Sequence, residues 1–280
     1  VDELQGFVQR VAPEPQRVQN DEWVFGTRHH AAALRGLLAR RLLREGRGRE
    51  ALAYFDDESL HAHATRYVEA REAMQRGDRV ARARAGFEAA ELARWQGMEL
   101  LGTQLGPDYA EYGGMFSPGE RWIEVEVPGS DETEWRQVPA QPDPLALADE
   151  RARIERSSPL PTHRFHYRGL AANLAETAAT QLPPRSQAYA ALMCQATRYV
   201  LNTEFERGQQ LYRRYLREGP YVPWGARFGQ ECPAPDFDKV ERELHAAKIA
   251  ELKRIATWTL PPLLLLGLVG VWWRRRGRAA

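Results

Sequence analysis

The residues best suited to hold a metal or move a proton near neutral pH are the seven histidines. They include the close pairs His29-His30, His61-x-His63 and His163-x2-His166. Only the last pair has the i, i+3 spacing that turns two imidazoles toward one point on a helix. No cluster of Asp, Glu and Cys accompanies it, so it reads as the start of a helix and no metal site is assigned. Glu99, Asp108 and Glu111 are carboxylates that could share acid–base work, but carboxylates are abundant and their spacing does not set these apart. Gly97 and Gly113-Gly114 lack the glycine pattern and the following Lys-Ser/Thr of a phosphate loop. A cysteine nucleophile would need a histidine partner, and none can be named. No catalytic residue and no cofactor is assigned.

Two features remain. Cys194 falls in an expected helix and Cys232, 38 residues on, in the aromatic loop after the next helix. They are either a disulfide or a buried thiol and a free one. An oxidising compartment favours the bond, and the pair is expected to come within bridging distance. Trp122, Trp135, Tyr221, Trp224 and Phe228 stand in loop or hairpin contexts where a small core does not obviously need them, so they are candidate partner-binding aromatics.

The elements that must position these residues come from a chain of 280 residues, long enough to bury a sizeable core. Its 39 basic and 38 acidic side chains nearly cancel, which argues against nucleic acid as a partner. The basic residues are 36 Arg and three Lys, a skew that codon bias explains most simply. Residues 1–104 read as a helical lobe. Leu34, Leu37, Leu38, Leu42, Ala51, Leu52 and Phe55 carry helical spacing broken by Glu45-Gly46-Arg47-Gly48, and further helices are expected near Ser59–Arg76 and Arg79–Gln96. Residues 105–161 hold eight of the 18 prolines and 12 acids against five Arg. Within them, Trp122 to Val127 alternates as a half-buried strand, Pro128-Gly129 turns, and Glu134 to Val138 returns. Residues 162–254 are helical again: His166–Thr180, Ser186–Asn202, Phe205–Glu218 and Asp238–Arg254, with an aromatic loop at Tyr221–Phe237.

Ile255 to Trp273 is 19 residues without a charge. As a helix it would reach about 28 Å, close to the hydrocarbon thickness of a bilayer. Trp258, Trp272 and Trp273 flank it as an aromatic belt, and Arg274, Arg275, Arg276 and Arg278 follow. The positive-inside rule then places residues 274–280 in the cytoplasm and the body outside it. The chain opens Val1-Asp2-Glu3-Leu4, without a leader, so an upstream part is expected.

The word Ala64-Thr65-Arg66-Tyr67-Val68 recurs as Ala196-Thr197-Arg198-Tyr199-Val200. Leu192, Ala196, Tyr199, Gly208, Tyr212 and Pro220 fall at tetratricopeptide spacing, and Leu38, Ala39, Leu42, Ala51 and Phe55 fit the same template. The chain therefore resembles a divergent tetratricopeptide-like helical-repeat protein. Its segments Ala90–Thr103 and His163–Arg168 resemble the C-terminal part of long uncharacterised exported bacterial proteins. The resemblance implies a mainly α fold: irregular hairpins of an α-solenoid, a small β-hairpin insertion and one C-terminal transmembrane helix. In such a hairpin Ala196 and Gly208 would sit at the crossing, and Tyr199 and Tyr212 would be buried. The expected work is that of a non-enzymatic scaffold at the bacterial cell envelope, binding a protein partner and held in the bilayer by its single span. The alternatives are an envelope enzyme or carbohydrate-binding module with an aromatic-lined cleft, and an accessory subunit of a membrane complex.

Overall fold

A computed structural model describes residues 1–15, 30–105, 120–130, 132–139, 147–157 and 165–276. Side chains 120–122, 137–139, 153–155, 157, 256 and 258–276 lie outside that description. The chain is mainly helical, with one two-stranded sheet among the described residues.

The helices begin where short polar side chains can close their first turn. Asp57 accepts from the Leu60 N–H at 2.7 Å and starts α4 (Glu58–Ala73). Asp78 accepts from Ala81 N–H at 2.8 Å and starts α5 (Arg79–Trp95). Ser186 accepts from Tyr189 N–H at 3.2 Å and starts α9 (Gln187–Val200). Each cap satisfies a backbone donor that the helix itself leaves open. Before these come α1 (Asp2–Val11), α2 (His30–Arg44) and the four-residue α3 (Gly48–Ala51), the last running into a 3-10 turn at Leu52–Tyr54. The second arm of the expected N-terminal hairpin is thus short. Its turn needs Gly46, whose φ of 79° is left-handed.

After α5 comes α6 (Gly97–Leu101). Strands β1 (Glu120–Glu126) and β2 (Thr133–Pro139) then pair antiparallel, with Glu124 opposite Trp135 and Trp122 opposite Gln137. Helix α7 (Ala148–Ser157) precedes α8 (His166–Thr180), and α10 (Phe205–Glu218) follows α9. The last helix, α11 (Phe237–Arg276), is 40 residues long, about 60 Å.

The core is a row of helices, α4, α5, α8, α9 and α10, each packed on the next. Arg82 meets Gln181, Gly86 meets Ala178 and Gly97 meets Tyr167, so α5 and α8 run antiparallel across the whole inserted segment. Small side chains bring them close. Ala83, Ala89, Ala90 and Ala93 of α5 and Ala171, Ala172, Ala175, Ala178 and Ala179 of α8 are buried. One apolar cluster runs from Val8 to Val240, so the two helical segments flanking the insertion share a core.

Two details of the repeat reading need correction. Tyr199 is 2% exposed, but Tyr212 is 37% exposed. The atoms nearest a side chain built at Gly208 belong to Leu201, at 3.4–3.9 Å, so this glycine faces the turn between α9 and α10 rather than Ala196. The repeated word also falls on α4 and on α9. These are the first helix of one pair and the second of the next, and so point in opposite directions along the row.

Among the described residues no helix is long and apolar enough to cross a membrane. The side chains of 258–273, nearly all of the expected span, lie outside the described residues, although the backbone of α11 continues as helix through Pro261 and Pro262 to Arg276.

Candidate functional site

Helix α2 builds one wall of the site with arginines. Arg40 is fully buried and donates to the carbonyls of Gly102 (3.1 Å), Gln104 (2.5 Å) and Leu105 (3.0 Å). Arg44, one turn on, donates to Leu101 O (3.0 Å) and Gly102 O (2.6 Å). Together they satisfy the Leu101 and Gly102 carbonyls that the end of α6 leaves without helical partners, and the Gln104 and Leu105 carbonyls that follow. Burial, with Arg41 adding repulsion, pushes the Arg44 guanidinium down to about 10. His166, buried in the first turn of α8, places Nε2 3.0 Å from Leu101 O.

This wall faces a cleft of about 720 Å³ lined by Arg44, His166, Asn173, Thr203, Glu204 and Arg207. A second cleft of about 580 Å³, lined by Arg47, Arg49, Glu50, Tyr67, Arg71 and Glu72, adjoins it. Arg44, Leu101 and Leu170 line both, so the two form one groove across the helix row. Its far wall is α8 against α10. Arg207 bonds Gly169 O (3.3 Å), Glu204 (3.2 Å) and Asn173, and Arg214 bonds Glu176 at 2.8 Å. Residue numbers rise together across these contacts, so α8 and α10 are parallel, as alternate helices of a solenoid are. Five arginines face three glutamates around the groove, a net positive lining. Arg47, Arg49 and Arg207 are ion-paired within it. Arg71 donates to Tyr67 Oη at 3.1 Å, and burial pushes the Tyr67 phenol up.

The aromatic candidates separate. Cys194 and Cys232 are bonded, with Cα atoms 5.6 Å apart. The bond ties the loop after α10 to α9, and Gln195 Nε2 adds a hydrogen bond to Cys232 O at 3.2 Å. Inside that loop Phe228 stacks on Tyr215 at 4.2 Å and on Trp224 at 6.0 Å. Trp224 and Phe228 are half-buried against the core, so packing accounts for both rings. Tyr221 is 93% exposed and Trp135 65%. Trp122 lies in β1, with its side chain outside the described residues.

Of the remaining polar candidates, Gly97 lies under the Tyr167 ring, which fills the space beside it. His163, Asp108, Glu111 and Gly113-Gly114 lie outside the described residues. Among the described residues no group of three His, Cys, Asp or Glu side chains could hold a metal ion. The groove was not visible in the sequence. Its only signal was the excess of Arg over Lys, because planar forks can bridge backbone carbonyls in pairs as an ammonium cannot. No family model, curated protein or solved structure matches this chain.

Proposed function

We propose that this protein is a membrane-anchored helical scaffold of the bacterial cell envelope, and that a segment of a partner protein lies in the arginine-lined groove. The observation that carries the reading is the groove itself, an open channel across the helix row rather than a closed cavity around a reactive pair. The Cys194–Cys232 bond supports an oxidising compartment for the body. The charge-free run from Ile255 to Trp273, followed by four arginines, supports an anchor whose tail is cytoplasmic. A second reading, an accessory subunit of a membrane complex, is favoured by α11, where Ile249, Leu252 and Ile255 are 39%, 58% and 49% exposed.

The test has two parts. The full chain should sediment with membranes and need detergent for release, whereas a chain ending at Arg254 should not. A photoreactive residue at Asn173 or Gln75, in the groove, should give a discrete protein adduct in cells, and one at Arg213, on the exposed face of α10, should not. A full chain that stays in the aqueous fraction removes the anchor. Groove positions that yield no adduct remove the scaffold.

A further inference from the structure

Two arginines of the groove have no carboxylate. Arg44, Arg47, Arg49 and Arg71 stand around the cleft of about 580 Å³, opposed by Glu50 and Glu72. Both glutamates are already engaged: Glu50 bonds Arg47 at 2.6 Å, and Glu72 bonds Arg49 at 2.6 Å. Glu45, next to Arg44 in the chain, bonds Arg41 at 3.3 Å, and Glu204, in the adjoining cleft, bonds Arg207 at 3.2 Å. Among the described residues no carboxylate pairs with Arg44 or Arg71, whose hydrogen bonds go to carbonyls and a phenol. Both stand in the last turn of their helices, where the helix end offers only a partial negative charge.

Each fork is fixed at one corner and open along one edge. Arg44 donates from Nη1 alone, to Leu101 O and Gly102 O. Arg71 also donates from Nη1 alone, to the Tyr67 hydroxyl, and its Cζ lies 5.9 Å from the centroid of that ring. Nε and Nη2 of both make no hydrogen bond. Arg71 is exposed, and the free nitrogens of half-buried Arg44 are not closed to solvent. Nε and Nη2 are two parallel donors, the pair that meets both oxygens of a carboxylate side-on. A planar fork already held at Nη1 loses little freedom when that edge is filled. The same cleft has an apolar floor of Leu43, Val68, Leu101 and Leu170.

We propose that the segment held in the groove is acidic, with two carboxylates seated side-on against Arg44 and Arg71 and an apolar side chain on the floor of the same cleft. This rests on the reading of the groove as a partner site, and it names what the partner must carry. A nucleic-acid backbone would meet Glu50 and Glu72 as well as the forks, and would leave the apolar floor uncovered. An acidic segment with apolar residues among its carboxylates complements both the charge and the floor.

The experiment titrates the full chain, in a neutral detergent, into short capped peptides labelled with fluorescein and reads their anisotropy. One peptide alternates aspartate with leucine, and its counterpart carries asparagine in place of aspartate. The acidic peptide should bind saturably, roughly tenfold or more tightly than the neutral one. Arg71→Gln and Arg44→Gln should each raise its Kd roughly tenfold, through the loss of one charge-assisted pair of bonds. Arg71→Lys keeps the charge without the side-on edge and should recover only part of that loss. Arg213→Gln, an exposed arginine of α10, should leave Kd unchanged, and added salt should weaken binding. Arg71 is exposed, so its variants keep the test open even where Arg44→Gln, which also removes bonds to two carbonyls, fails to fold. The peptides are supplied rather than captured, so the result is separate from the adducts at Asn173 and Gln75. Missing adducts remove the partner site, whereas equal binding of the two peptides removes only its acidic preference. No saturable binding of the acidic peptide, an unchanged Kd in Arg71→Gln, or tighter binding of an oligothymidylate of equal charge also overturns the proposal.

Discussion

Gly97→Ala tests the closest approach in the helix row. A Cβ built at Gly97 falls 2.5 Å from Tyr167 Cδ2, 2.6 Å from Cγ and 2.8 Å from Cβ. Ordinary carbon contacts lie near 3.5–4.0 Å, so the ring and the start of α8 would have to retreat by ~1 Å. Tyr167 has little freedom to do so. It is 5% exposed and stands edge-on to Phe165, with ring centroids 6.0 Å apart. Overpacking of this kind costs about 1–3 kcal/mol. Replacing glycine stabilises by about 0.4–1 kcal/mol through the unfolded chain, leaving a net loss of roughly 1–2 kcal/mol. At about 2–4 °C per kcal/mol, the melting midpoint should fall by about 2–8 °C. Tyr167→Ala removes Cγ and Cδ2, the two nearest of these atoms, and leaves only Cβ at 2.8 Å, so in that background Gly97→Ala should cost less, with a coupling of about 1 kcal/mol or more in the double-mutant cycle. A midpoint that is unchanged or raised in the single variant, or costs that simply add, would refute the close approach and with it the antiparallel register of α5 on α8.

Three further outcomes follow from the same packing. Replacing both Cys194 and Cys232 by serine should destabilise the chain by about 4 kcal/mol, the loop-closure term for their 38-residue separation; a denaturant midpoint unmoved by this change or by reductant would show that the bond does not constrain the loop. Arg35 and Asp56 form an ion pair at 2.8 Å with side chains only 2% and 6% exposed, so Asp56→Asn should cost about 3–5 kcal/mol in chemical denaturation by leaving the guanidinium buried without its counter-charge, and a loss under 1 kcal/mol would count against it. Glu218 accepts from Tyr189 Oη at 2.9 Å and from Arg214 Nε at 3.1 Å, which hold its carboxyl below the usual range; because the folded pKa is lowered, this stability is present above the unfolded value and is lost as pH falls through the folded one, so Tyr189→Phe should melt lower than wild type near neutral pH and the gap should narrow in acid, a gap constant with pH being the contrary result.

The helices were legible where local chemistry decides them. His166–Thr180 and Phe205–Glu218 match the structure at both ends, because Pro183-Pro184 and Gly219-Pro220 stop them whatever the rest of the fold does. The hairpin of β1 and β2 was legible for the same reason: alternation on both sides of Pro128-Gly129 suits paired strands, and Gly129 adopts a φ of 85°. What could not be read was the pairing of α5 with α8. Its contacts join residues 70 to 99 positions apart through alanines, which are common in any helix. The role of Gly97 could not be read for a related reason. A glycine needed for a positive φ tends to sit in turn-like company, whereas one needed for a close approach carries no local mark, since the ring that requires it is elsewhere in the chain.

The arginines show most clearly what spacing decides and what position decides. Arg40 and Arg44 are four residues apart on one helix, which puts both forks on one side of α2, and that much is contained in the sequence. What they bond is not, because the acceptors are backbone carbonyls and every residue has one. The excess of Arg over Lys fits a biased codon supply as well as it fits a built site. The two are separated by where the charges end up: most of the ion-paired arginines lie along the outer faces of the helices, whereas Arg40 is fully buried and spends its fork on three backbone carbonyls. A skewed codon supply would scatter such side chains over the surface; it does not bury one against the carbonyls of Gly102, Gln104 and Leu105.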